Sequence, residues 1–416
     1  MNRFLYSLLL YLVLPFVPVK LLLRGIKQPA YLTHWGERFG FYNTLVNKPV
    51  IWLHCVSVGE TRAAEPLINA LQTQYPAHQI LLSHGTPTGR DASEALFGDK
   101  VLRVYLPYDL PFAVNSFLKH FKPAIGLIME TELWFNLIAA CKKNGIPLLL
   151  LNARLSEKSA KGYAKLGKLV TEGLQNISAI AAQTADDFAR LQALGASNIS
   201  IAGNLKFDVK PPADAADKGL QQRILLGSER TIFLAASTRE GEEELILEAV
   251  RGLDLLTVIV PRHPQRFDEV AAIFQKHNMQ FQRKSLLKDT ALQANIDAVI
   301  GDTMGELFTY YAACDFTLVG GSLLPYGGHN LIEAAAMGKP ILIGQHTFNF
   351  AEASNNAVAA GAAIRAKDYL ELREKIQYLL ENKAKRQEMS EAALRFCEAS
   401  TGATTRMMKL IVLYLH

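Results

Sequence analysis

GGSLLPYGGHNLIEAAAMGKPILIG, residues 320–344, is the stretch whose reading decides the fold. It begins where an apolar run, DFTLV at 315–319, ends. A glycine-rich turn follows, Asn330 to Glu333 opens a small-residue helix, and Lys339-Pro340 stops it before the next strand-like run, 340–343. Strand, turn, helix and strand form one βαβ unit, with a ligand expected at the strand's carboxyl end. Gly327 and Gly328 let backbone N–H groups approach an anion, and the helix N-terminus favours negative charge. Glu333 sits too early in that helix to serve a phosphate and is better suited to accept hydrogen bonds from ribose hydroxyls. Alternatively, Glu333 is simply an N-terminal helix charge.

Working outward, the same alternation fills most of the 416 residues. Strand-like runs stand at 50–56, 80–83, 101–106, 124–129, 147–151 and 178–182, with helical stretches such as 61–74, 110–120 and 133–144 between them. A second series runs through 231–236, 255–260, 298–301, 315–319 and 340–343, and the last fifty residues read as mainly helical. This pattern predicts doubly wound parallel sheets, hence an α/β chain of two Rossmann-like domains with a cleft between them. The proline-rich polar segment around 209–219 reads as the linker. It divides an N-terminal domain at 27–208 from a C-terminal domain at 220–416.

The net charge of +5 resides in residues 1–50, where six basic residues face Glu37 alone, so the rest of the chain is balanced. That distribution excludes a broad nucleic-acid surface. Between Arg3 and Lys20 lie uncharged residues only, FLYSLLLYLVLPFVPV, short of the roughly 20 a spanning helix needs. Pro15 and Pro18 shorten any straight helix further. With Lys20, Arg24 and Lys27 behind it, residues 1–26 read as an uncleaved membrane anchor or interfacial helix. The four cysteines are widely spaced, which points to a reducing compartment without structural zinc.

Several strand ends carry chemistry. HCVSVGE at 54–60 brings Glu60 to a strand-to-helix loop, where it serves either as a general base on a hydroxyl or as a helix cap. Glu130 and Glu132 end another apolar run, and strand alternation would point both to one side. No histidine or aspartate cluster accompanies them, so no metal is expected. Lys206, just before the linker, can hold a carboxylate or stabilise developing phosphate charge, or it is merely solvated. In the second half, loops at 237–242, 261–264, 302–307 and 320–333 all begin at strand ends. Together they point to a nucleotide site, with Arg262 a bidentate phosphate ligand.

These segments resemble the 3-deoxy-D-manno-octulosonic acid (Kdo) transferases of lipopolysaccharide synthesis. The marks are WGERFG (35–40), HCVSVGE (54–60), LPYDLP (106–111), IMETELWFNLI (128–138), NARLS (152–156), AGNLKFD (202–208), VPRHPQRF (260–267), GDTMGEL (301–307) and GGHNLIEAAAMGKPILIG (327–344). The resemblance implies a GT-B fold, and an activity that moves Kdo from CMP-Kdo to the acylated diglucosamine precursor of lipid A (lipid IVA). The reaction would take place at the cytoplasmic face of the inner membrane. It implies Glu60 as proton acceptor and Glu130 and Lys206 as transition-state stabilisers. CMP contacts would come from Pro261, Arg262, Met304, Gly305, Glu306, Asn330, Leu331, Ile332 and Glu333, without a metal or other cofactor. Many retaining GT-B enzymes place a second glutamate eight residues before the ribose-binding one. Pro325 stands there instead, in keeping with inversion at the anomeric carbon. Rival readings are a UDP-sugar transferase or epimerase of the same fold, and a membrane-associated nucleotide-binding protein without catalysis.

Overall fold

Among the described residues there are fourteen strands, all paired in parallel, and the central ones are runs of branched and aliphatic residues buried on both faces, as expected of parallel sheets covered on either side. The structure is a computed structural model and describes residues 1–208, 211–287 and 291–415. The chain divides into two compact units, Met1–Asp208 with Thr401–His416, and Val209–Ser400.

In the first unit the strands are β1 (Val50–His54), β2 (Gln79–His84), β3 (Leu102–Tyr105), β4 (Pro123–Met129), β5 (Leu148–Ala153), β6 (Ala179–Ala182) and β7 (Ile199–Ile201). Their order is β3-β2-β1-β4-β5-β6-β7. Alternate residues feed two cores. Val50, Trp52, Ile128 and Leu150 point into one, while Ile51, Leu53, Leu127 and Leu151 point into the other. The second unit holds β8 (Ile232–Thr238), β9 (Leu256–Pro261), β10 (Phe281–Arg283), β11 (Ala298–Ile300), β12 (Phe316–Val319), β13 (Ile341–Ile343) and β14 (Ala363–Arg365). Here the order is β10-β11-β9-β8-β12-β13-β14. In each sheet the winding reverses once, between β1 and β4 and between β8 and β12. Such a reversal opens a crevice at the strands' carboxyl ends.

Four expectations change. The helical stretch at 61–74 is two helices, Val58–Ala63 and Glu65–Gln74. Pro66, which lacks an N–H, starts the second and cannot continue the first. The linker is shorter than 209–219. Residues 209 and 210 lie outside the described residues, and a helix, Ala215–Leu226, has begun before Gly219. A Cβ on Gly219 would lie 2.1 Å from the Cβ of Ala312, so this glycine permits close packing of the helix on its neighbour Leu307–Ala313.

The C-terminal domain does not run to 416. Thr401–His416 returns to the first unit, where Met407 and Ile411 join the core that holds Leu67, Ile68 and Leu71. The N-terminus also departs from a single anchor helix. Arg3–Val13 and Phe16–Lys27 are separate, the break falls at Pro15, and their axes differ by 55°. Among the described residues no single helix is long and apolar enough to cross a membrane, although this bent pair passes on length and composition. Its docking is polar on one side. Tyr6 donates to Asp109 Oδ2 at 2.9 Å, and Ser7 Oγ lies 3.0 Å from Asn136 Oδ1. Its other side is apolar and open, with Phe4 77%, Phe16 69% and Ile26 79% exposed.

Candidate functional site

In the first unit the reversal between β1 and β4 sets the Glu60 loop beside Glu130. Ser57 is the N-cap of the helix Val58–Ala63 and accepts from the Glu60 N–H at 3.4 Å. Glu60 returns the bond, its carboxylate accepting from the Val56 N–H at 2.7 Å and the Ser57 hydroxyl at 2.8 Å. This is a variant of the capping box, with the returning backbone bond on the Val56 rather than the Ser57 N–H, so the helix-cap reading of Glu60 is met by its geometry. The same two bonds fix the carboxylate's direction and leave lone pairs on both oxygens unused. Burial pushes its pKa up, the Val56 and Ser57 donors pull it down, Glu130 pushes it up again and Lys206 pulls it down. These charges therefore form one electrostatic cluster.

Glu130 follows the last residue of β4 and has φ +56°, a left-handed conformation that non-glycine residues seldom adopt. Because that residue ends the strand, the alternation expected for Glu130 and Glu132 does not hold. Glu132 nevertheless remains in the cluster. Burial, then Glu60, then Glu130 push its carboxyl up to about 7, a prominence that sequence alternation did not reveal.

Lys206 reaches Glu130 at 3.4 Å. Its position is built by amide side chains that sequence reasoning missed. Asn204 Oδ1 accepts from the Lys206 N–H at 3.0 Å, and Asn152 Oδ1 accepts from the Leu205 N–H at 3.0 Å. Gln183 links the two, donating to the Asn152 carbonyl at 2.9 Å and accepting from Asn204 at 2.9 Å. Asn152, like Glu130, is left-handed, with φ +52°. The NARLS and AGNLKFD segments are thus one support for a single ammonium group.

In the second unit four loops leave neighbouring strands in the sheet order β11, β9, β8, β12. They carry residues 302–306, 261–263, 237–242 and 320–333. Pro261 closes β9, and the Arg262 N–H donates to the Thr238 carbonyl at 3.0 Å, while the Arg262 side chain stands exposed. Met304 is 64% exposed, Gly305 has φ +80°, and Glu306 accepts from the Thr303 hydroxyl before the helix Leu307–Ala313.

Asn330 and Leu331 precede the helix Ile332–Ala336, and Asn330 Oδ1 accepts from the Ile332 N–H at 3.1 Å. Burial pushes the Glu333 carboxyl up, and Arg262 and Asn330 pull it down, so these three are brought together. The anion-cradle expectation changes here. The Gly328 N–H is used within the turn, donating to the Gly321 carbonyl at 2.6 Å. The helix has only five residues, so its dipole is that of little more than one turn. Side chains, above all Arg262, supply the positive charge. Among the described residues no three His, Cys, Asp or Glu side chains gather to hold a metal ion.

Two parallel-sheet Rossmann-like units with ligand loops at the carboxyl edges give the chain the GT-B fold, an architecture shared by many glycosyltransferases. Solved structures show the same architecture. A glycosyltransferase from Rickettsia africae matches 89% of this chain and 98% of its own, with TM-score 0.56 at 16% identity. MurG of Acinetobacter baumannii matches 88% of this chain and 99% of its own, with TM-score 0.57 at 14% identity.

Residues 33–209 match the family model described as 3-deoxy-D-manno-octulosonic-acid transferase (kdotransferase), and 229–396 that of the glycosyl transferases group 1. A 3-deoxy-D-manno-octulosonic acid transferase of Bordetella pertussis is 40% identical over 418 residues, covering 93% of this chain and 96% of the relative. One of Haemophilus influenzae is 37% identical over 426 residues, covering 100% and 99%. The chain belongs to the 3-deoxy-D-manno-octulosonic acid transferase family and transfers Kdo.

Proposed function

We propose that the protein transfers Kdo from CMP-Kdo to a hydroxyl of the acylated, phosphorylated diglucosamine precursor of lipid A, with inversion and with Glu60 as general base. The observation that carries this reading is the gathering of Glu60, Glu130 and Lys206 where the first sheet reverses. The acceptor oxygen attacks the anomeric carbon of Kdo as the bond from that carbon to the CMP phosphate oxygen breaks. The hydroxyl proton passes to Glu60, and CMP leaves as the phosphate anion. A hydroxyl is too weak an acid to lose its proton first, so the base must act during attack. A carboxylate whose affinity for protons is raised by burial suits that task better than a solvated one.

Lys206, paired with Glu130, supplies positive charge that stabilises the negative charge developing in the transition state. Donor contacts are assigned to Pro261, Arg262, Met304, Gly305, Glu306 and the segment Asn330–Glu333, with Glu333 on the ribose and Arg262 on the phosphate. A single phosphate can be neutralised by side chains, so neither metal nor cofactor enters the scheme. The open apolar side of Arg3–Val13 and Phe16–Lys27 would rest on the cytoplasmic face of the inner membrane, where a lipid acceptor resides. The purified protein, given CMP-Kdo and the tetraacylated precursor, should yield CMP and a lipid heavier by one or more Kdo units on mass spectrometry. Release of CMP without the lipid product would overturn the acceptor.

A further inference from the structure

The reversal point of the second sheet carries one basic side chain that the nucleotide contacts leave unused. Arg239 follows β8, and its guanidinium lies over the ring of Tyr326, 4.6 Å from the centroid. Both partners are held. The Arg239 N–H donates to Glu242 Oε2 at 2.9 Å, and the same oxygen accepts from the Gly321 N–H at 2.7 Å. Glu242 Oε1 accepts from the Leu323 N–H at 2.9 Å. This carboxylate is wholly buried, so it clamps the loops after β8 and β12 together. Tyr326 in turn donates its hydroxyl to the Glu240 carbonyl at 3.1 Å, and its own carbonyl accepts from Asn349 at 3.0 Å. The close approach also requires glycine. A Cβ on Gly320 would stand 2.6 Å from the Ser237 carbonyl oxygen, and one on Gly321 would stand 3.0 Å from the His329 ring and 3.6 Å from Arg239 Cγ.

The charges are clustered. Arg262 is the cation that acts on Glu333. Beyond its burial, Arg262, Arg239 and His263 all act on His329 and lower its proton affinity. Arg239 continues to Tyr326. The His329 ring and the Arg239 side chain both flank Gly321, so both arginines stand in the neighbourhood of His329 at this reversal of the sheet. Among the described residues neither arginine has a carboxylate within ion-pairing distance, and the buried Nε2 of His329 has no hydrogen-bond partner. A CMP-linked sugar acid presents two anionic groups close together, the phosphate and a carboxylate on the anomeric carbon that the phosphate is bonded to.

We propose that Arg239, seated on Tyr326, binds the carboxylate of the donor sugar acid, while Arg262 takes the phosphate. This assignment rests on CMP-Kdo being the donor. The planar fork of a guanidinium matches a carboxylate with two parallel hydrogen bonds. A sugar nucleotide without that carboxylate leaves Arg239 uncompensated, so the residue selects for acid sugars.

The test uses the full-length protein in detergent with three probes. These are CMP, CMP-Kdo as substrate, and CMP-N-acetylneuraminate as a competitor with a carboxylate on the carbon that bears the phosphate. In Arg239→Ala the affinity for CMP should stay within about twofold. The KM for CMP-Kdo and the inhibition constant of the sialic acid nucleotide should both rise about 10- to 100-fold, as loss of a charge-assisted pair predicts. Arg239→Lys should recover part of that loss, and Arg262→Ala should weaken CMP itself. An equal loss for CMP and for the acid nucleotides, or no loss for either, would overturn the carboxylate assignment while Kdo transfer stood. Failure of the unaltered protein to turn over CMP-Kdo would instead remove the donor reading, and this assignment with it.

Discussion

Glu60 is a helix cap by its hydrogen bonds and the proposed base by its surroundings, and the two roles separate on substitution. Glu60→Gln preserves the shape and the bond from Val56, and glutamine at this position also completes a capping box. Folding and CMP affinity should change little, while kcat should fall by roughly 10²- to 10⁴-fold. Turnover within about threefold of wild type would end the general-base role. Arg262→Ala should weaken CMP binding by about 1.5–3 kcal/mol and leave cytidine, which lacks the phosphate, unaffected. An equal loss for cytidine would make the arginine a support of the fold.

Glu132 gives a pH test. Its carboxyl is pushed up to about 7 from an ordinary 4.5, so the folded protein holds this proton more tightly than the unfolded chain. The stabilisation is complete below about pH 4.5 and is lost as pH rises towards 7. Glu132→Gln should therefore melt like wild type near pH 4.5 and at higher temperature at pH 8. A difference that does not widen between those pH values would contradict the burial of charge at this cluster. Glu60, Glu130 and Arg262 drew notice in the sequence because each follows an apolar run, and Lys206 because it stands just before the linker. The left-handed backbone at Glu130 and the amide network under Lys206 were not, since both depend on contacts between segments far apart in sequence.

At the scale of the element, strands buried on both faces announce themselves, because nearly every residue in VIWLH or TVIV is apolar, the buried His54 being held by hydrogen bonds to Ser83. The three-residue strands β7, β10 and β14, at or next to sheet edges, carry too few such residues to be read. The N-terminal pair shows the same divide. Its composition suits a membrane surface without showing one, whereas the break at Pro15 was foreshadowed by the residue type. The polar seam through Tyr6, Asp109 and Asn136 had no local signal, for it joins residues more than a hundred positions apart.

Removing the residues before Gly25 deletes that seam but leaves Asp109 with the Asn136 and Leu137 N–H donors at 2.9 and 2.8 Å. The shortened protein should stay folded, bind CMP as before, need less detergent and lose its affinity for phospholipid vesicles. Unchanged co-sedimentation with vesicles would place the membrane contact elsewhere.

At the scale of the whole molecule, the doubled α/β pattern was visible, whereas the return of the chain to its first unit was not. That return hangs on Asp208, whose carboxylate accepts from the N–H groups of Gly402, Ala403 and Thr404 at the start of the helix Ala403–Val412. An aspartate at a helix N-terminus is favourable twice over, through its hydrogen bonds and through the dipole. No sequence pattern links residues so far apart, and an amphipathic final helix would suit either unit.

The consequence can be measured because Trp35, Trp52 and Trp134 are the protein's three tryptophans and all lie in the first unit. Intrinsic fluorescence therefore reports the melting of that unit alone, which matters where one melting temperature need not describe two units. Met407 is completely buried against this core, and Met407→Ala should cost about 2–5 kcal/mol. For a unit of this size that lowers the fluorescence-detected melting temperature by about 5–20 °C. CMP affinity, assigned to the other unit, should be unchanged at temperatures below that transition. If the tryptophan transition held while CMP binding weakened, the last helix would belong to the second unit after all, as the order of the sequence alone suggests.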